Sequence, residues 1–141
     1  MWRQIPWVAN GLTLQGGLEL VCGLALLLGG ADSDARAPAT FYEQWLRGVG
    51  PPVLVASGSL KAFAANRNRR FRGPGIGVAA LWSAVPAATV WPCAPSGLAL
   101  LVYGSIVYRD RMSRQAFALG ETGKGPEEVV TALGAQSQRQ A

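Results

Sequence analysis

The chain contains no histidine in its 141 residues. That absence removes the imidazole ligands of most zinc centres and excludes serine or cysteine nucleophiles activated by histidine. Cysteine is almost as scarce: Cys22 and Cys93 are too few for a disulfide framework and form no Cys-x-x-Cys spacing. Charged residues are sparse as well, at 15% against 50% apolar residues, a balance that leans towards the membrane class. The formal net charge is +5, but the basic residues gather beside apolar runs and not on an aromatic-rich face, so no nucleic-acid partner is expected. From these residue types neither a metal nor a cofactor is expected.

What the chain has in abundance is apolar sequence. Residues 7–28 make a mainly apolar run of about 22 residues, close to the ~20 a helix needs to cross a bilayer. Arg3 ahead of this run also fits a secretory signal. The run is longer than the ~7–15 residues usual for such a signal and is interrupted by Gln15 and Glu19, so it is expected to be retained. Further runs follow, and the expected fold is all-α, an integral membrane four-helix bundle. Its spans lie at about 6–28, 51–65, 74–91 and 95–108 within a transmembrane domain of residues 1–114. Pro86 should kink the third span, since its missing N–H leaves a carbonyl unsatisfied. Thr40 and the aromatic residues Phe41, Tyr42 and Trp45 predict a short interfacial helix. Residues 115–141 read as a polar, disordered cytosolic tail, with a brief helix opening at Glu127 and closing at Gly134.

This arrangement puts every Lys and Arg except Arg36 and Arg47 on one side, which makes both termini cytosolic. A re-entrant second segment would give three spans and lose that asymmetry. The expected location is a membrane, as a multi-pass protein of a bacterial inner membrane or a eukaryotic endomembrane.

Gly11, Gln15, Glu19 and Gly23 recur every four residues and form one small or polar stripe, which should face protein. The opposite side, with Leu12, Leu18, Val21 and Leu28, should face acyl chains. An ionisable residue at membrane depth is a functional hypothesis by default, so Glu19 is the candidate catalytic residue. Burial without a nearby cation favours the neutral carboxyl, which could act as a proton donor. Gln15, Ser57, Trp82, Ser83 and Tyr103 lie at similar depth and are the candidate ligand-binding residues. Lys61, placed near the end of a short second span, is expected to snorkel to the interface about 12 Å from the depth of Glu19 and not to pair with it. Arg67, Arg69, Arg70 and Arg72 form a basic turn suited to lipid headgroups.

The segment Gly17-Leu18-Glu19-Leu20-Val21-Cys22-Gly23-Leu24-Ala25-Leu26-Leu27-Leu28-Gly29 resembles the glutamate-containing helix of DoxX-like small four-helix membrane proteins. In that group the motif falls on the second helix and here it is on the first, so Glu19 is the single position carried over. The resemblance implies a four-helix membrane fold and members that serve as accessory or chaperone-like factors.

Three functions are therefore open. One is an accessory, assembly or lipid-binding module whose partners are membrane lipids, another membrane protein or a second copy. Another is a membrane-embedded isomerase or cyclase acting on a lipophilic substrate with Glu19 as acid, and the last is an oligomeric channel or transporter. The four-span topology is testable at Cys93, in the turn between the last two spans. A membrane-impermeant thiol reagent should modify Cys93 from the non-cytosolic side; modification only after the cytosolic face is opened would exclude the topology.

Overall fold

Leucine, alanine and glycine are the commonest residues in the N-terminal third of the chain, and the proline of its long apolar run sits where a helix tolerates it. Pro6 occupies the first turn, where its missing N–H has no partner to lose. The computed structural model describes residues 2–29, 40–88 and 94–139, and all their regular structure is helical. Arg36, Trp91 and Cys93 lie outside the described residues. After a 3-10 turn at Trp2–Gln4, helix α1 runs from Ile5–Gly29, and its 25 residues reach about 37 Å. The segment Trp2–Gly29 is the one helical stretch among the described residues that is long and apolar enough to cross a membrane.

Helix α2 spans Phe41–Gly48 and opens with a capping box: the Thr40 N–H donates to Glu43 Oε2 at 2.8 Å and the Glu43 N–H to Thr40 Oγ1 at 3.4 Å. The side chains of Phe41, Tyr42, Trp45 and Leu46 are outside the described residues. Helix α3, Gly50–Arg69, begins with the proline pair Pro51 and Pro52 and continues four residues past the end of the expected 51–65 span. Asn66 to Arg69 lower the hydropathy, but nothing in them opposes helical backbone. This extension moves Lys61 to the middle of the helix.

α1 and α3 run antiparallel and cross at bare backbone. A Cβ added at Gly58 would lie 2.6 Å from the Gly16 carbonyl oxygen, and one at Gly16 would lie 2.8 Å from the Gly58 oxygen. The polar stripe on α1 is buried there, through Gln15, Gly16, Glu19 and Gly23. Leu18, Val21 and Leu28 are exposed as expected, whereas Leu12 belongs to the core and not to the outer face.

The third apolar run is broken in two, α4 at Pro74–Trp82 and α5 at Ala84–Ala87, with the break at Ser83. Pro86 supplies no N–H to the carbonyl four residues before it, at Trp82, so the helix is interrupted one turn ahead of the proline. Helix α6, Ala94–Arg109, returns antiparallel between α1 and the α4–α5 leg. Gly104 admits Leu81, Gly97 admits Ala84, and Gly11 of α1 admits Leu100.

Residues 115–139 are not a disordered tail. Helix α7, Arg111–Glu121, starts on Asp110, whose side chain accepts from the Ser113 N–H at 3.1 Å. Helix α8, Pro126–Arg139, passes through Gly134 without stopping. Composition conceals what folds them: Ala116, Phe117, Val129 and Leu133 are few, but each is spaced onto an inward face and buried. Phe117 stacks on Tyr108 with ring centroids 5.4 Å apart and meets Phe71 edge-on at 6.5 Å. These contacts place α7 at the end of the molecule that also carries Trp2 and the basic turn.

The Gly16–Gly58 crossing gives the first stability prediction. Gly58→Ala should lower the thermal midpoint in detergent, at an overpacking cost of about 1–3 kcal/mol. Gly17→Ala, where a Cβ meets nothing within 4 Å, should leave it unchanged or raise it. Equal midpoints for the two variants would refute the close crossing.

Candidate functional site

Gln15 and Glu19 are four residues apart on α1, Ser57 and Lys61 are four apart on α3, and each pair therefore projects from one helix face. The glycine crossing brings the two faces together. All four side chains are buried, Glu19 and Lys61 at 0% exposure. Lys61 Nζ pairs with Glu19 Oε1 and donates to Ser57 Oγ at 3.0 Å. Gln15 Nε2 donates to Glu19 Oε1 at 3.0 Å, and Ser57 Oγ donates to Glu19 Oε2 at 2.7 Å.

The cluster extends in both directions. Ser96 Oγ of α6 donates to Gln15 Oε1 at 2.7 Å. On the other side Ser57 Oγ lies 2.9 Å from Ser83 Oγ, which donates to the Ala80 carbonyl at 2.8 Å. One continuous polar chain thus joins α6, α1, α3 and the α4–α5 junction.

This geometry corrects two expectations. Lys61 does not snorkel: it lies mid-helix because α3 extends to Arg69, and the antiparallel crossing sets it level with Glu19. Nor is Glu19 a lone carboxyl awaiting a proton. Three donors, one of them cationic, converge on its two oxygens, which is the setting of a carboxylate acting only as acceptor. A catalytic acid must reach its substrate, and Glu19 is sealed.

Of the candidate ligand residues, the fold brings Gln15, Ser57 and Ser83 into this cluster. Trp82 is 60% exposed and points outward, and Tyr103, 41% exposed, lies on the outer face of α6. Tyr103 does line a groove of about 470 Å³ between α1 and α6, together with Gly11, Leu14, Gln15, Leu18, Ser96, Ala99 and Leu100. A smaller recess of about 250 Å³ on the α3–α5 side is lined by Val53, Ala56, Ser57, Leu60, Ser83 and Pro86. The polar chain therefore ends in the wall of an apolar groove at each side, through Gln15 and Ser96 at one and through Ser57 and Ser83 at the other.

The basic turn is divided. Arg69 Nη2 donates to Asn10 Oδ1 at 3.1 Å and Thr13 Oγ1 at 3.2 Å, which ties it to α1. Arg67, Arg70 and Arg72 stand together around a separate recess. Among the described residues no three Cys, Asp or Glu side chains gather to hold a metal ion.

Sequence reasoning missed Lys61 and Ser96. A signal for Lys61 was present: Ser57-x-x-x-Lys61 mirrors Gln15-x-x-x-Glu19 with opposite charge. Ser96 had none, since a serine opening a helix is commonplace. Compared with protein-family models, curated proteins and solved structures, the chain gives no match.

Coupling between Glu19 and Lys61 is open to a double-mutant cycle. Lys61→Met strands a buried carboxylate and Glu19→Gln strands a buried ammonium, and each alone should cost about 3–5 kcal/mol. The double variant carries neither charge and should recover most of that loss. Strictly additive losses in detergent unfolding would show that the two side chains do not interact.

Proposed function

We propose that this chain is a multi-pass membrane protein, a bundle of four legs formed by α1, α3, α4 with α5, and α6, with both ends on the cytosolic side. We further propose that it acts without catalysis, as an accessory module that holds a lipophilic molecule. The observation that carries the first part is a buried ionic cluster set against a broad apolar exterior. Glu19, Lys61, Gln15 and Ser57 are inside, while Trp7, Leu14, Val21, Leu28, Phe63, Trp82, Val102 and Ile106 are outside. A soluble fold would bury the second set and hydrate the first. A bilayer asks for the reverse.

The α1–α6 groove supports the second part. It is largely apolar and carries a few hydrogen-bonding groups, Gln15, Ser96 and Tyr103, as sites for small lipophilic ligands do. The isomerase reading loses its acid, because Glu19 is held by three donors and does not line the groove. The resemblance of residues 17–29 to the DoxX-like group is compatible with an accessory role.

Ala99 is exposed and lines the groove, so Ala99→Phe fills it without entering the core. The wild-type chain, purified from native membranes in mild detergent, should retain a lipophilic compound detectable by mass spectrometry. Ala99→Phe should lose that compound while keeping the same unfolding midpoint. Equal retention by both would overturn the assignment of the groove, and release of the wild-type protein from membranes by alkaline carbonate would overturn the membrane reading.

A further inference from the structure

The turn after α3 displays a cluster of cations. Phe71 stands in the left-handed region at φ 52°, with its ring buried among Phe117 and Gly120. The Phe71 N–H donates to the Asn68 carbonyl and the Arg72 N–H to the Arg67 carbonyl, each at 3.0 Å. A non-glycine residue keeps this backbone only when its surroundings fix it. The inward anchor at Phe71 leaves its neighbours, Arg70 and Arg72, exposed together on the outside.

Two adjoining recesses share those arginines. One, about 180 Å³, is lined by Asn66, Arg67, Arg70 and Arg72. The other, about 280 Å³, is lined by Arg70, Arg72, Lys124, Gly125 and Pro126. Lys124 comes from the turn between α7 and α8, more than fifty residues further along the chain, and is brought there by the packing of α7 on Phe71. Among the described residues none of Arg67, Arg70, Arg72 and Lys124 pairs with a carboxylate. Glu128 is engaged close by, its Oε2 accepting from the Gly125 N–H at 3.0 Å as the cap of α8.

Two guanidinium groups and an ammonium lining one recess, with no carboxylate paired to them among the described residues, match the charge and the fork geometry of a phosphate. We propose that Arg70, Arg72 and Lys124 form a binding site for a phosphate group, presented by an anionic phospholipid at the cytosolic surface. A lipid and not a free phosphate is indicated by the surface that continues from the site. Arg67 lies over the Phe63 ring, 5.9 Å from its centroid, and Phe63 is exposed one turn earlier in α3, away from the basic turn, where an acyl chain would run. The lipid source rests on the membrane reading above; the phosphate chemistry does not.

Binding of dioctanoyl phosphatidic acid to the purified full chain in detergent, measured at about 0.15 M salt, tests the site. Dioctanoyl phosphatidylcholine and inorganic phosphate serve as comparison ligands. Phosphatidic acid should bind in preference to both. Lys124→Gln and the double variant Arg70→Gln/Arg72→Gln should each weaken it by about tenfold or more. Lys124→Arg should retain binding, as should Arg69→Gln, which removes an equal charge from the same turn but outside the site. Unchanged binding in Lys124→Gln, or an equal loss in Arg69→Gln, would overturn the site in favour of diffuse attraction. Inorganic phosphate binding as tightly as phosphatidic acid would overturn the lipid assignment. Alkaline carbonate extraction separates the failures: a protein that stays in the membrane yet shows no selectivity refutes the site alone, and a released protein refutes the membrane reading.

Discussion

A charge pair that no water can reach governs the rest of this molecule. Removing an ammonium and a carboxylate from water costs several kcal/mol for each ion, and their mutual attraction offsets that only when the geometry is close and every remaining hydrogen-bonding position is filled. Glu19 and Lys61 are in direct contact, both carboxylate oxygens accept from donors, and the ammonium also donates to Ser57. Closeness requires that α1 and α3 touch backbone to backbone, which a side chain at Gly16 or Gly58 would prevent. Filling requires Gln15 and Ser57, each one turn from a charged residue on the same face. A slip of α3 along α1 by a single turn would separate the charges while leaving both buried. The pair thus favours one register of α3 on α1, which is the best-attested use of such groups.

The same interaction accounts for a polar seam running through an otherwise apolar interior. Around that seam Ile5, Val8, Leu12, Leu54 and Val107 are buried, while Trp7, Leu14, Val21, Leu28, Val102 and Ile106 point outward. On the membrane reading proposed above such an exterior suits lipid, and the helices would associate through small residues and polar contacts and not through a hydrophobic driving force. It also accounts for the grooves. Where Gly11 thins α1, α6 settles on it at Leu100 and leaves a furrow beside Leu14 and Tyr103, walled by the last members of the polar chain.

Much of this was legible in the sequence, and the parts that were not share a cause. The helix at residues 5–29, the short helix after Thr40, the break near Pro86 and the inward stripe of α1 all follow from local rules about apolar length, helix starts, proline and four-residue spacing. Hydropathy, however, ended the second helix at Ala65, because Asn66 and Arg67 are polar. Polarity marks where a helix meets water and not where its backbone stops, and the error of four residues displaced Lys61 from the middle of α3 to its end. With the lysine misplaced, Glu19 looked unaccompanied and therefore neutral. The tail failed for a related reason: average composition is blind to Phe117, Val129 and Leu133, which are few but lie on one side of their helices. Leu12 was assigned outward from a helical wheel that knew one contact face, whereas α1 is packed by both α3 and α6.

Helix α3 connects the two parts of the molecule that carry chemistry. Its middle holds Ser57 and Lys61 against Glu19, and two turns later Asn68 is buried against Tyr108, before the chain reverses through Phe71. Because Lys61 and Asn68 are seven residues apart, they share one face of the helix. Rotation of α3 is therefore fixed twice, once at mid-depth by charge and once near the basic end by an amide and a phenol. The aromatic group of Phe71, Tyr108 and Phe117 then transmits that fixed rotation to α7, and α7 sets where Lys124 stands relative to Arg70 and Arg72. The position of a lysine in the polar C-terminal region is in this way a consequence of how α3 is seated against α1. Fixing the orientation of α3 at its centre is what allows groups so distant in sequence to be held together at its end.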